Sequence, residues 1–216
     1  IERAVERGRA IFDNIWKFVA YLLSANVAEV ALVFLASLWG YLILPAVQLL
    51  WINLLTDGLP ALALGTDPQS PDVMDRPPRD PDRGIVDRQM LGVIAGTGTV
   101  TTAVMLGLTF WTLAGADAAT AYATTMVFTG FVLLEFEKLY VIRWIRDTPT
   151  LTNRWLGLAV AGSLALQLAV IYTPLNDFFG TVPLGLADWG VLGVVLAVCL
   201  PAYLLVGLGV RRYAAS

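Results

Sequence analysis

Six apolar stretches, at roughly residues 15–39, 43–65, 90–114, 119–142, 155–173 and 188–210, alternate with short polar connections along the chain. Each is close to the ~20 residues that an α-helix needs to cross the hydrocarbon of a bilayer. The pattern therefore predicts an all-α, polytopic membrane protein, a six-helix bundle that takes up residues 1–216 as one domain. An even number of spans puts both ends on one side, and the basic residues say which side that is. Arg3, Arg7, Arg9 and Lys17 lie at the start, and Arg76, Arg79, Arg83 and Arg88 follow the second stretch. Lys138, Arg143, Arg146 and Arg154 surround the connection after the fourth, and Arg211 and Arg212 end the sixth. The connections on the other side, near 40–45, 115–118 and 174–187, contain no Lys or Arg. By the positive-inside rule both termini are expected in the cytoplasm. The one long connection, 66–88, carries prolines and paired charges that stop a helix. It reads either as a solvated connector or as a docking surface for another cytoplasmic domain. The opening IERAVERGRA lacks the pattern of a signal peptide, and the chain reads as a segment of something longer.

Composition agrees with the pattern. With 57% hydrophobic and 14% charged residues and a mean hydropathy of +0.71, an ordinary soluble domain is excluded. The balance of 14 Lys+Arg against 17 Asp+Glu removes the uniformly basic surface of a nucleic-acid binder. No His and a single cysteine, Cys199, exclude a disulfide framework and any His- or Cys-rich site for zinc, copper or an iron–sulfur cluster. Trp39, Trp111, Trp144, Trp155 and Trp189 fall near the ends of the expected helices, as an interfacial belt would place them. Gly92 and Gly96 form a small-xxx-small pair for close helix packing.

Polar residues inside the apolar stretches carry the chemistry, because an ionisable side chain at mid-bilayer costs roughly 2.5 to 3.5 kcal/mol on insertion scales. In the first stretch SANVAEV places Asn26 and Glu29 three residues apart, on one helix face. In the second, WINLLTDGLPA places Asn53, Thr56 and Asp57 on one face, and Glu135 lies within the fourth. Counting ~1.5 Å per residue inward from the basic boundary, Asn26 is about 13 Å from Lys17, Asp57 about 15 Å from Asp67 and Glu135 about 12 Å from Arg143. The three helices alternate in direction, so this common depth is not a product of chain order. Pro60 lacks an amide hydrogen and faces the carbonyl of Thr56, four residues earlier. The second helix is expected to unwind over residues 56–60 and free that carbonyl for a cation. Three carboxylates, two amides, a hydroxyl and a carbonyl make an all-oxygen set, the chemistry of a hard divalent cation, with calcium suited to six to eight such ligands. The same residues also read as a polar network that only holds helices together. Glu137 and Lys138 read as an interfacial pair facing elsewhere.

At these positions the sequence resembles the carboxy-terminal membrane half of P-type cation ATPases, in particular calcium pumps of the sarcoplasmic-reticulum type. The matching segments are RGRAIFDNI, SANVAEV, QLLWINLLTDGLPALALGTDP, DVMDRPPR and, more loosely, TMVFTGFVLLEFE and PLNDFFGTVPL. Carried over by position, the resemblance implies that Asn26, Glu29, Thr56, Asp57 and Glu135 belong to the family's first calcium site. Asn53 and Asp57 would contribute to the second. Asn53, where sodium/potassium pumps typically have an acid, implies calcium rather than monovalent ions as the transported species.

The same resemblance implies parts that these residues do not contain: a phosphorylated aspartate in a DKTGT-like motif, a nucleotide domain, an actuator with a TGE-like loop, and a preceding helix with a PEGL-like break. Mg-ATP would act only through those missing domains, in the same or another chain, and as written the chain is expected to hydrolyse no ATP. The implied setting is the lipid bilayer of a prokaryotic plasma membrane. Two readings of other classes remain beside it: a self-sufficient cation channel or ion-coupled carrier, and a non-transporting membrane scaffold.

Overall fold

The computed structural model describes residues 1–75 and 84–215; Arg76, Arg79, Arg83 and the PPR of the long connection lie outside the described residues. Within them every regular element is helical. In chain order they are α1 (Glu2–Leu38), α2 (Ala46–Trp51), a π-helical turn (Ile52–Thr56), α3 (Gly58–Leu64), α4 (Arg88–Leu113), α5 (Ala121–Ile145), α6 (Arg154–Tyr172), the short α7 (Leu175–Phe179) and α8 (Leu186–Ala215).

Hydrophobicity places these helices, and other residues decide where they begin and end. α1 runs for 37 residues, well beyond the apolar stretch, because its opening turns are built from Ala, Glu and Arg, which favour helix whether or not they are buried. Asp87, Thr120 and Asn153 stand just before α4, α5 and α6 and accept the backbone N–H groups of Met90, Ala123 and Leu156. Each thereby satisfies a donor that the first helical turn leaves without a partner. α4 stops where Ala114 adopts a left-handed φ of 45° and Gly115 follows at 85°, and the chain then enters the short connection to α5.

α4 packs against α1, α5 and α8; α5 also contacts α8, α1 and α6, while α3 lies between α1 and α6. Five segments are long and apolar enough to cross a membrane: Glu2–Leu38, Ala46–Leu64, Arg88–Leu113, Arg154–Tyr172 and Leu186–Arg212. α5, at 25 residues, has the length, but Glu135, Glu137, Lys138 and Arg143 lower its apolarity. It is also strongly enclosed, with every residue of 123–132 buried, so its charges meet protein instead of lipid. α6 and α8 instead expose Leu158, Leu166, Val194, Val198 and Leu205, the surface a hydrocarbon solvent would cover.

Gly92 and Gly96 form the α4 side of the contact with α8. A methyl group at Gly96 would overlap Val206, and one at Gly92 would come within 3.1 Å of Val210. Gly96→Ala is therefore expected to separate the two helices and lower stability by about 1–3 kcal/mol, with Val206→Ala in the same chain restoring much of the loss. Thermal unfolding of both variants in one detergent checks this. An unchanged midpoint for Gly96→Ala would contradict the contact.

The start of the long connection is packed down and does not run free in solvent. Asp67, Ser70 and Val73 are buried, and the carbonyl of Val73 accepts from Arg9 Nη1 at 3.0 Å. Gln69 donates to Glu6 at 2.7 Å, which ties this segment further to the opening turns of α1.

Candidate cation site

The second apolar stretch is not one uniform helix. Between α2 and α3 the amide of Asp57 donates to the carbonyl of Ile52, five residues back, at 2.8 Å. That is one wide π turn, a feature often found at functional positions. The break expected from Pro60 is therefore present, but it takes a different form. The chain widens over Ile52–Thr56 and α-helix resumes at Gly58, where unwinding over 56–60 was expected. A π turn absorbs an extra residue in the ladder while keeping most backbone groups bonded. Pro60 still cannot donate to the Thr56 carbonyl. Thr56 and Asp57, 0% and 1% exposed, are turned into the bundle, while Asn53 on the preceding turn is exposed.

The three acids singled out in the sequence come from three different segments and are all buried: Glu29 on α1, Asp57 at the start of α3 and Glu135 on α5. Asn53 Nδ2 donates to both carboxylate oxygens of Glu29, at 3.0 and 2.8 Å. The Tyr21 hydroxyl donates to Asp57 Oδ1 at 3.2 Å. Lys138 Nζ donates to Glu135 Oε1 at 2.6 Å. Glu29 and Asp57 each lie within electrostatic reach of Glu135 and of Lys138, and Asp57 within reach of Glu29. Thr56 Oγ1 is engaged by the Ile52 carbonyl, to which it donates at 3.0 Å. Asn26 is exposed on α1, one turn from the Glu29–Asn53 pair. Among the described residues no three acidic side chains converge as a ready-made metal cage. The arrangement is a cluster of individually partnered acids.

The common depth has a direct counterpart in the fold. Lys17, Asp67 and Arg143, the boundary residues from which depth was counted, are in contact. Asp67 Oδ2 accepts from Lys17 Nζ at 2.6 Å and from Arg143 Nε at 3.0 Å. Asp67 Oδ1 also accepts from Asn153 Nδ2 at 3.0 Å, and its carbonyl from Asn14 Nδ2 at 2.9 Å. This junction joins α1, the end of α3, α5 and the start of α6 at the basic end of the bundle. Arg146 pairs with Asp13 beside it, and Arg211 reaches Asp147 at 2.6 Å.

Two members of the cluster were not recognised from sequence. Lys138 was expected to pair with Glu137 near the surface; it is wholly buried and bound to Glu135. Adjacent residues on a helix do not face each other, whereas residues three apart do, so that spacing was the available signal. Tyr21 lies two helical turns before Glu29, in register with the buried Ala25 and Ala28, a periodicity that marks the same face. Gln167 joins the neighbouring helices, accepting from Trp51 Nε1 at 3.2 Å and donating to Thr129 at 3.4 Å.

A polytopic helical bundle that buries carboxylates from separate helices among its apolar spans has the make-up of a membrane domain. Residues 41–208 match the family described as "Cation transporting ATPase, C-terminus". The chain belongs to this family, in agreement with the resemblance drawn from its motifs. It is 36% identical over 219 residues to a protein of Bacillus subtilis (strain 168) named as a calcium-transporting ATPase, an alignment covering 96% of this chain and 24% of that protein. The chain thus spans about a quarter of the length of that relative.

Proposed function

We propose that this chain is the ion-binding membrane part of a calcium-transporting P-type ATPase, acting with phosphorylation, nucleotide and actuator domains and preceding helices that these residues do not include. The observation that carries the reading is the burial of Glu29, Asp57 and Glu135, on three different helical segments, inside the bundle of a cation-transporting ATPase domain. Buried intramembrane carboxylates are costly, and they mark ion pathways.

Calcium takes oxygen ligands and tolerates irregular geometry, which suits Glu29, Asn53, Thr56 and Asp57. The Asn53 amide now presents its nitrogen to Glu29; rotation about its last side-chain bond exchanges that donor for the carbonyl oxygen. The residue can therefore brace Glu29 when no ion is bound and join it as a ligand when one is. Asn26, exposed on α1, would complete the site together with a preceding helix. In this reading α5 is the sixth span, both termini face the cytoplasm, and the protein resides in a prokaryotic plasma membrane.

The test is calcium uptake by vesicles containing the full-length protein that carries this chain, together with equilibrium binding of radioactive calcium. ATP-dependent uptake is expected, with Glu29→Gln weakening binding about tenfold or more. Uptake driven by ATP for a monovalent ion with none for calcium, or calcium binding unaffected by Glu29→Gln, would overturn the assignment.

A further inference from the structure

Lys138 is a second unusual feature of the same cluster, and nothing in the function proposed above requires it. It is fully buried on α5, and its ammonium lies 2.6 Å from Glu135 Oε1, three residues earlier on the same helix. The pair is internal to one helix, and its i,i+3 spacing brings the two side chains together on one face. The other oxygen, Glu135 Oε2, is buried without a hydrogen-bond partner. Neither Glu29 nor Asp57 forms an ion pair among the described residues. Of the three acids in the cluster, one therefore has a built-in positive partner and two do not.

From this we infer that Lys138 is a tethered cation that occupies the Glu135 arm of the site, so that the acids of this chain take a single divalent ion, held by Glu29 and Asp57. The inference rests on the calcium-transport reading and refines it: Glu135 neutralises Lys138 and is not a ligand of the ion. The charge balance supports this. Two unpaired carboxylates match one calcium ion, and a second divalent ion beside Glu135 would lie next to a buried ammonium with no solvent to screen their repulsion. Breaking a buried pair by removing one partner leaves an uncompensated charge. A carboxylate released from Lys138 would then have to find another cation.

The experiment is equilibrium binding of radioactive calcium to the full-length protein in detergent, counted per molecule, for wild type, Lys138→Met, Lys138→Arg and the double variant Glu135→Gln/Lys138→Met, each checked by thermal unfolding. The wild type and Lys138→Arg are expected to bind one calcium at this cluster, and Lys138→Met to gain a second. The double variant should return to one calcium with the wild-type affinity, because the ion never used Glu135. If Lys138→Met does not fold, the double variant decides the matter: its buried pair is removed as a unit, and a loss of affinity of tenfold or more would overturn the inference by showing that Glu135 ligates the ion. Two calcium ions in the wild type, or a folded Lys138→Met that binds as the wild type does, would also overturn it. These results would leave the transport reading standing. No calcium bound by the wild type would remove the transport reading and this inference with it.

Discussion

Asp57→Asn is expected to weaken calcium binding by about a hundredfold while leaving the bundle folded. The side chain is 1% exposed and stands where the π turn ends and α3 begins, so both its position and its orientation are set by backbone. Its hydrogen-bonding partner, the Tyr21 hydroxyl at 3.2 Å, can still donate to the oxygen of an amide. Asparagine keeps the shape and that bond and loses only the charge. A hard cation feels that loss strongly, since ligand charge is one of the main determinants of calcium affinity. The fold does not depend on it in the same way, because a hydrogen-bonded amide is less costly to bury than a carboxylate with no ion-pair partner. The two readouts therefore separate: binding, followed with radioactive calcium on the full-length protein, should collapse, and the thermal midpoint should hold or rise. Binding equal to the wild type would end the case for Asp57 as a ligand. A midpoint lowered in step with binding would assign the residue a structural role instead.

The second large effect is expected at the basic end of the bundle. Asp67→Ala should destabilise the protein by about 3–5 kcal/mol, because it leaves the ammonium of Lys17 and the guanidinium of Arg143 buried without their shared carboxylate. Both cations are 1% exposed, and the Asp67 side chain is wholly enclosed. Arg143 retains some compensation, since it also donates to the carbonyls of Pro149 and Thr150. Among the described residues Lys17 retains the Thr148 hydroxyl at 3.2 Å and the charge of Asp13. Adding Lys17→Met to Asp67→Ala should therefore recover a substantial part of the lost stability, which distinguishes a buried-charge penalty from a packing cavity. Thermal unfolding of the two single variants and the double variant, in the same detergent, measures the coupling. A single variant within about 0.5 kcal/mol of the wild type would place Asp67 among ordinary surface residues.

Asp67 also ties the acid-bearing helices to the start of the long connection. It closes the end of α3, the helix that follows directly on Asp57, and holds it to α1 and α5, the helices that carry Glu29 and Glu135. All three acid-bearing segments are thus fastened to one another at their basic ends. The packing of Val73 and Gln69 against Arg9 and Glu6 extends the same fastening along α1.

The membrane class and the helical elements were readable from the order of residues. Each depends on a property that is local or additive along the chain. Apolar runs near ~20 residues must be helical in a bilayer, since backbone groups have no water to bond. Depth follows from a fixed rise per residue, which is why Lys17, Asp67 and Arg143, used only as counting marks, prove to touch. The family match rests on motifs of the same linear kind. Partnership was not readable in this way. Which group each acid would face depends on how separate helices are rotated against one another, and that is set by packing between positions far apart in sequence. Asn53 and Glu29 meet across 24 residues and Tyr21 and Asp57 across 36. The form of the break at Pro60 was decided in the same way. A missing donor says that the ladder must change, but whether it unwinds or widens into a π turn depends on what the neighbouring helices leave room for. Even Lys138, only three residues from Glu135, takes its meaning from the tertiary structure: α5 is enclosed by the other helices, which turns an ordinary surface pairing into a buried cation within the acidic cluster.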